Sequence, residues 1–592
     1  MQGSSNKMKA TVKRAEISKK REPVIVQHWY EKQNISLFLL IAVPVLVYFQ
    51  ALTLGFTMLD DTIFIVEYQY FNKDLANLFH SFDRGLFSPA NDFYYRPLFL
   101  VDFILESRLF GVSAAGYHFT NLLFHVVCVV LLYYFLMAVG VRQADSLFLS
   151  LLFSLHPVLS QAVAWIPGRN DMLLMIFFLS GMLFSFKYTE HPSWYWWLLQ
   201  SFAFLLALFT KETAVIMPIV ALSLLIIVRK ASWKIWAPLT VGWIIAMVAW
   251  SLVRSHATLL KRSFTAWDLV QTGYDRFPAL LQYLGKIFFP FNLTVFPGID
   301  TVPIWWGVLA LVVLAGLIFW SKSYFKILTI IGIGWFILFL LPVLIVPASL
   351  NDQVFEHRLY IPLVGILLIL SQTRLFGSHE IPAQKQGNQP EKGNGQAGMI
   401  SPGWLFSVKR YFKPVLALSV LFMYAIITLT RTGYYKDPVT FWTHAVKGNP
   451  SSAYANMMLG LRQTDQTEMK RYLMTAYQLN PEEKMLNYLI GKLELDAGNT
   501  DKARFHLIKE LKHSSIPDNY FSLAKVYFMK SKLDSAAWCL ERVIETDPLN
   551  PQANHNLSLL YLQLNRKADA LRLVESMKQK GLEIPAEFRD VR

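Results

Sequence analysis

Between residues 35 and 429 the sequence returns repeatedly to apolar runs of about 16–21 residues, near the length a helix needs to cross a bilayer core. A backbone in lipid must satisfy its own hydrogen bonds, so such runs commit the chain to membrane helices. The 592 residues are 54% hydrophobic and only 16% charged, where a soluble domain lies near a quarter charged. From residue 430 the long apolar runs stop, and Lys, Glu, Asp, Asn and Gln become common. Two regimes imply two domains and an all-α fold: a polytopic membrane domain, then a water-soluble helical one.

The pattern predicts eleven transmembrane helices, at 35–54, 117–136, 147–166, 172–188, 194–209, 214–228, 233–253, 304–320, 327–346, 359–370 and 414–429. The tenth is short. Segment 97–110 is nearly apolar enough for a twelfth, but Asp102, Glu106 and Arg108 interrupt it, and an ion at the bilayer centre costs about 2.5–3.5 kcal/mol. Asp102 and Glu106, four apart, share one helix face, which predicts a helix lying in the interface.

The net charge of +15 could suggest nucleic acid, but no basic stripe with interleaved aromatics is present, and no nucleic-acid partner is expected. The cations instead precede the first run (Lys7, Lys9, Lys13, Arg14, Lys19, Lys20, Arg21, Lys32) or cluster in short loops: Arg142, Lys187, Arg229 with Lys230, Lys322 with Lys326, and 374–413. Such placement marks the cytoplasmic side. The expected organisation is a basic cytoplasmic tail at 1–34, a membrane domain at 35–371 with an outward first loop at 55–116, a cytoplasmic linker at 372–413, a last span at 414–429 and outward repeats at 430–592. Residues 377–402, rich in Gly, Gln, Asn and Pro without aromatics, read as a disordered linker. No small-residue cleavage site follows the first run, so it reads as a retained anchor. Cys128 and Cys539 fall in different domains, which argues against a disulfide.

The soluble part repeats with a period of 33 to 34. Gly491, Ala524 and Ser558 form one small-residue column, and Ala503, Ala536 and Ala570 a second. Pro481, Pro517, Pro548, Pro551 and Pro585 fall near unit ends, expected to end each second helix, and a shorter copy spans 452–481 with Gly460 and Ala476 in place. This period is that of tetratricopeptide repeats, whose stacks form a concave surface that usually binds peptides.

The loops assigned to the outward side carry most of the polar chemistry: Asp60 and Asp61; Arg96; His156; Arg169 and Asp171; Lys211 and Glu212; Glu356, His357 and Arg358. A carboxylate can act as general base toward a hydroxyl, and adjacent Asp60 and Asp61 repel, which raises one pKa toward that task. Arg and Lys can stabilise a departing phosphate. Each residue alone has an ordinary reading: two Asp in a turn cap a helix, Arg and Lys at helix ends snorkel, and a His before Pro bonds a helix end. No Cys/His metal spacing exists, and no metal or cofactor is expected, although the Asp pair could take a hard divalent ion.

At these residues the chain resembles a known family. LDDT at 59–62, YRPL at 95–98, His118, Asn121 and His125, HPVLSQAVAWIPGRNDMLL at 156–174, ALFTKETAV at 207–215 and EHRLYIP at 356–362 come in a characteristic order. With repeats following, this is similar to the transmembrane and tetratricopeptide repeat-containing protein O-mannosyltransferases and their bacterial relatives, in the GT-C class of glycosyltransferases. The resemblance implies a polyprenyl-phosphate sugar donor (dolichyl or undecaprenyl), an inverting mechanism and a Ser or Thr acceptor on a polypeptide. It implies that Asp60 or Asp61 is the catalytic carboxylate, and that Arg96, His156, Arg169, Lys211 and Arg358 are donor-phosphate or architectural residues. The chain has only three or four repeats, fewer than eukaryotic members, so its acceptor groove is shorter.

The expectation is therefore an integral-membrane glycosyltransferase, with transfer to a lipid or surface polysaccharide, or a non-catalytic scaffold, as the alternatives. A transporter would place polar groups at the bilayer midplane, and here they sit at one end. Low cysteine use leans toward a bacterial inner membrane with periplasmic repeats. Sequons at Asn292 and Asn556 leave the endoplasmic reticulum open.

Overall fold

The computed structural model describes residues 32–87, 94–257, 265–324, 326–346, 353–376, 403–513 and 516–588. The basic residues of 1–31 and the linker 377–402 lie outside them. Among the described residues the chain is helical, with no β-strand beyond one isolated bridge between Gly298 and Gln353.

Each expected span falls on an apolar helix, but the helices differ in length. Six are long and apolar enough to cross a bilayer alone: Gln33–Thr53, Ala114–Ala138, Ile166–Glu190, Trp233–Ala257, Ile327–Leu344 and Val415–Tyr435. Trp194–Thr210, Glu212–Val228, Trp305–Trp320 and Pro362–Ser371 are shorter. The third expected span is a broken pair, Gln143–Ser154 and Pro157–Ala164, bent by 50°. Pro157 has no N–H to continue the ladder and holds His156 extended, which ends the first half. Many large apolar side chains on the bundle's outside are exposed, such as Ile244, Ile245, Val248 and Leu252 on one helix, as a surface built for lipid requires.

Pro97–Phe110 is a helix whose acidic face turns inward. Arg169, with no exposed surface, donates to Asp102 at 2.6 Å and Glu106 at 2.5 Å from Nη1, to the Tyr117 carbonyl at 2.8 Å and to Asn121 Oδ1 at 2.8 Å. The spacing of four that puts both carboxylates on one face thus serves a buried cation, while Leu105 and Leu109 point outward. His118, Asn121 and His125 continue this stapling along one face of Ala114–Ala138. His118 bonds the Gly55 carbonyl, Asn121 donates to the Val163 carbonyl, and His125 joins Tyr360 and the Ser154 carbonyl.

After the last long helix come Pro438–Gly448 and four antiparallel pairs: Ala453–Gly460 with Gln466–Leu479, Leu486–Asp496 with Thr500–Glu510, Pro517–Met529 with Leu533–Thr546, and Pro551–Gln563 with Lys567–Gln579. The small-residue columns are where paired helices touch. A Cβ on Gly491 would come within 2.7 Å of Leu507, and Ala503, Ala536 and Ala570 are fully buried or nearly so. Pro517 and Pro551 differ from expectation. They open the first helix of the next pair, where their missing N–H costs nothing, instead of closing the previous one.

The Arg169 cluster makes a prediction. Arg169→Met should leave the buried Glu106 and the half-buried Asp102 unpaired and cost about 3–5 kcal/mol, read as a lowered unfolding midpoint in detergent. Adding Asp102→Asn and Glu106→Gln should restore most of it.

Candidate active site

The loops at one end of the bundle, together with the first repeats, enclose a cavity of about 1180 Å³. Its lining draws on the first loop, the helix ends near 211 and 254, the segment before residue 303, the segment before residue 359 and the start of the repeats. Loops far apart in sequence and assigned to one side therefore meet in one space.

The adjacent aspartates divide. Asp61 is buried and folds back on its own loop, accepting from the Thr57 amide and hydroxyl, the Leu59 amide and the Thr62 amide, the last at 3.0 Å. It ties together the loop that leads into the next helix. Burial pushes its pKa up against those hydrogen bonds. Asp60, half-buried, lines the cavity. Burial, then the neighbouring Asp61 charge, push its pKa up to about 7, with Arg96 opposing.

The cations likewise separate. Arg96 lies over the Tyr94 ring at 4.7 Å and is held by Glu212 at 3.2 Å; Glu212 also accepts from the Tyr95 amide at 2.9 Å. Lys211 reaches the buried Asp171 at 2.7 Å, so Asp171 supports the cavity floor without lining it. Arg358 donates to the Gln353 carbonyl at 2.7 Å, and among the described residues no carboxylate lies within ion-pair distance of it. His357 sits against Trp165, ring centres 5.3 Å apart, and touches Gln161. Burial and then Lys211 push its pKa well below the usual histidine range, so the ring is neutral.

Five predicted residues are not on the cavity, Asp61 among them. Asp171 is another. Arg169 is the buried hub described above. His156 is buried, with Nε2 on the Ile287 carbonyl at 3.0 Å and Nδ1 accepting from the Val158 amide, a helix-end role. Glu356 has no exposed surface. It binds Arg431 at 2.6 Å, Lys286 at 3.3 Å and the Thr294 amide at 3.0 Å. Sequence reading missed Arg431, Lys286 and Gln161, and also Arg254 and Arg276, which line the cavity. The segments of Lys286 and Arg431 carry no local signal, because Glu356, the carboxylate that both meet, is 70 and 75 residues away. Among the described residues no three His, Cys, Asp or Glu side chains gather as a metal site.

Residues 98–254 match the family described as dolichyl-phosphate-mannose-protein mannosyltransferase. About a quarter of the chain is also similar to curated protein O-mannosyltransferases. A protein O-mannosyl-transferase of Caenorhabditis elegans is 31% identical over 167 residues, 26% of this chain and 23% of that protein. Protein O-mannosyl-transferase TMTC3 of Homo sapiens is 30% identical over 162 residues, 26% and 17%. The mouse protein TMTC4 is 31% identical over 187 residues, 27% and 25%. The chain thus spans about a quarter or less of the curated relatives it matches. Among solved structures, MamA 41-end from Desulfovibrio magneticus RS-1 is 13% identical, covering 24% of this chain and 84% of that one, at a TM-score of 0.22, which is too low to bear on the fold. The mannosyltransferase-like region contains Trp165, Lys211, Glu212 and Arg254 of the cavity, whereas Asp60, Arg96, His357 and Arg358 lie outside it.

The division of the acidic pair is testable in folding alone. Asp61→Asn should lower stability by about 1–2 kcal/mol through lost buried hydrogen bonds to its own loop. Asp60→Asn should leave the unfolding midpoint within error or raise it.

Proposed function

We propose that the chain transfers a sugar, with inversion, from a polyprenyl-phosphate carrier to a Ser or Thr hydroxyl of a polypeptide, with Asp60 as general base. The observation that carries this reading is that Asp60, and not Asp61, shares one cavity with Arg96, Lys211 and Arg358. The likeness of residues 98–254 to mannosyltransferases supports a mannosyl-type donor.

The steps follow from the charges. Asp60 takes the acceptor proton as the hydroxyl oxygen forms its bond to the anomeric carbon. The bond from that carbon to the phosphate oxygen breaks with its electron pair, and the phosphate gains a negative charge. A single displacement inverts the anomeric centre. Arg96 and Lys211 already answer to carboxylates, so of these three the charge of Arg358 is the one most available to the phosphate. The neutral His357 adds no competing charge. The reading needs no metal or cofactor. By the positive-inside bias the cavity opens to the periplasm or the lumen, and the carrier's tail stays in the bilayer.

Asp60 must be ionised to accept the proton. With its pKa near 7, kcat/KM should fall below neutral pH and reach a plateau above it. That profile is measurable with the purified protein, dolichyl- or undecaprenyl-phosphate mannose and Ser/Thr peptides. Asp60→Asn should lose about 10²–10⁴-fold and the acidic limb with it, and Arg358→Met about 10²–10³-fold. Transfer at the wild-type rate by Asp60→Asn would remove this carboxylate from the mechanism.

A further inference from the structure

Met58, two residues before Asp60, has a φ of 55°. A residue with a Cβ enters that left-handed region only at a cost, and stays there only where its surroundings hold it. Asp61 supplies part of the hold. It accepts from the Thr57 amide and hydroxyl on one side of Met58 and from the Leu59 amide on the other. The rest comes from outside the loop. The Thr57 carbonyl accepts the indole N–H of Trp442 at 3.1 Å, 385 residues away in sequence.

Trp442 belongs to Pro438–Gly448, the helix that leads into the repeats. It is fully buried, with its ring centre 5.1 Å from Phe441, 5.6 Å from Phe296 and 5.7 Å from Tyr454. Thr57 is buried too, so a carbonyl that lost this indole would go without its hydrogen bond. The same segment grips the loop a second time. The Gly55 amide donates to the Lys436 carbonyl at 2.8 Å, and a Cβ on Gly55 would stand 3.2 Å from that oxygen. A Cβ on Gly448 would come within 2.1 Å of Thr294, so the far end of the helix is seated as closely.

Asp60 depends on this turn. Among the described residues no hydrogen bond holds its carboxylate, while its carbonyl accepts from the Phe64 amide at 3.2 Å. Its side chain is therefore placed through its backbone, between the left-handed turn before it and the helical turns after it. A shift at Thr57 to Leu59 moves the carboxylate.

Building on the reading of Asp60 as general base, we propose that Trp442 is a positioning residue for it. The indole N–H keeps the turn 57–59 in its left-handed shape, so transfer requires the repeats to be seated on the first loop. The repeat region then takes part in catalysis itself, whatever polypeptide its array binds.

The test uses the full chain in lipid nanodiscs with undecaprenyl- or dolichyl-phosphate mannose and a Ser/Thr peptide, alongside amide hydrogen exchange of the loop. Trp442→Phe removes the N–H and keeps a ring. It should speed exchange at the Thr57, Leu59 and Thr62 amides and lower kcat by about 10²-fold, the cost of a misplacement of about 1 Å, with both KM values unchanged. Phe441→Leu weakens the same apolar cluster without touching the bond, so it should lower the unfolding midpoint and leave kcat near the wild type. Met58→Gly makes the left-handed φ accessible at no steric cost. Alone it should leave kcat unchanged, and added to Trp442→Phe it should restore most of the lost kcat. Full kcat in Trp442→Phe, or a loss that Met58→Gly does not repair, would overturn the positioning role. Loop exchange unaltered by Trp442→Phe would overturn the clamp and leave the reading of Asp60 standing. Wild-type turnover by Asp60→Asn would overturn that reading, and this role with it, even if exchange responds.

Discussion

Glu356 is a carboxylate with no solvent contact, and three separate parts of the chain depend on it. Arg431 reaches it from the last long helix, Lys286 from the helix Ala266–Phe288, and the Thr294 amide from the segment that leads to the cavity. A buried charge without such partners would be prohibitive, so the three must stay together. Their convergence ties the helix that delivers the repeats to the segments on either side of the cavity. Gln161 joins the same knot by accepting from the Glu356 and His357 amides.

A common rule runs through the polar residues at this end of the bundle: neighbours in sequence take opposite jobs. Asp61 ties its own loop together while Asp60 faces the cavity. Glu356 is locked inside while His357 and Arg358 line the space. Glu482 pairs along the array while Glu483 turns to the cavity. A short segment that must both hold its own backbone and present a reactive group has few side chains with which to do it. One neighbour then takes the hydrogen bonds and ion pairs that hold the backbone, and the other is left facing the cavity.

Much of the fold was legible because its causes are local. Run length marks the membrane helices, a period of 33 to 34 marks the repeats, and Asp102 and Glu106 at a spacing of four identify a helix face. The same local logic misassigned the repeat prolines, since closing one helix and opening the next look alike without the turn between them. Of the residues singled out by motif position, Asp60, Arg96, Lys211, Glu212, His357 and Arg358 line one cavity, whereas Asp61, His156, Arg169, Asp171 and Glu356 lie behind it or apart from it. A functional charge and a structural one look the same when only residue type and position are known.

From its order of residues alone, this chain determined that it would be helical, lie in a membrane and end in a repeat stack, because apolar length and periodicity act within single elements. Which aspartate meets the cavity, which cations pair with carboxylates, and that Trp442 of the repeat region grips the loop of Asp60 were decided only in three dimensions. Those outcomes rest on burial and pairing between groups more than a hundred residues apart in several cases. Desolvation and hydrogen bonding are properties of the assembled neighbourhood, and no single stretch of sequence contains them.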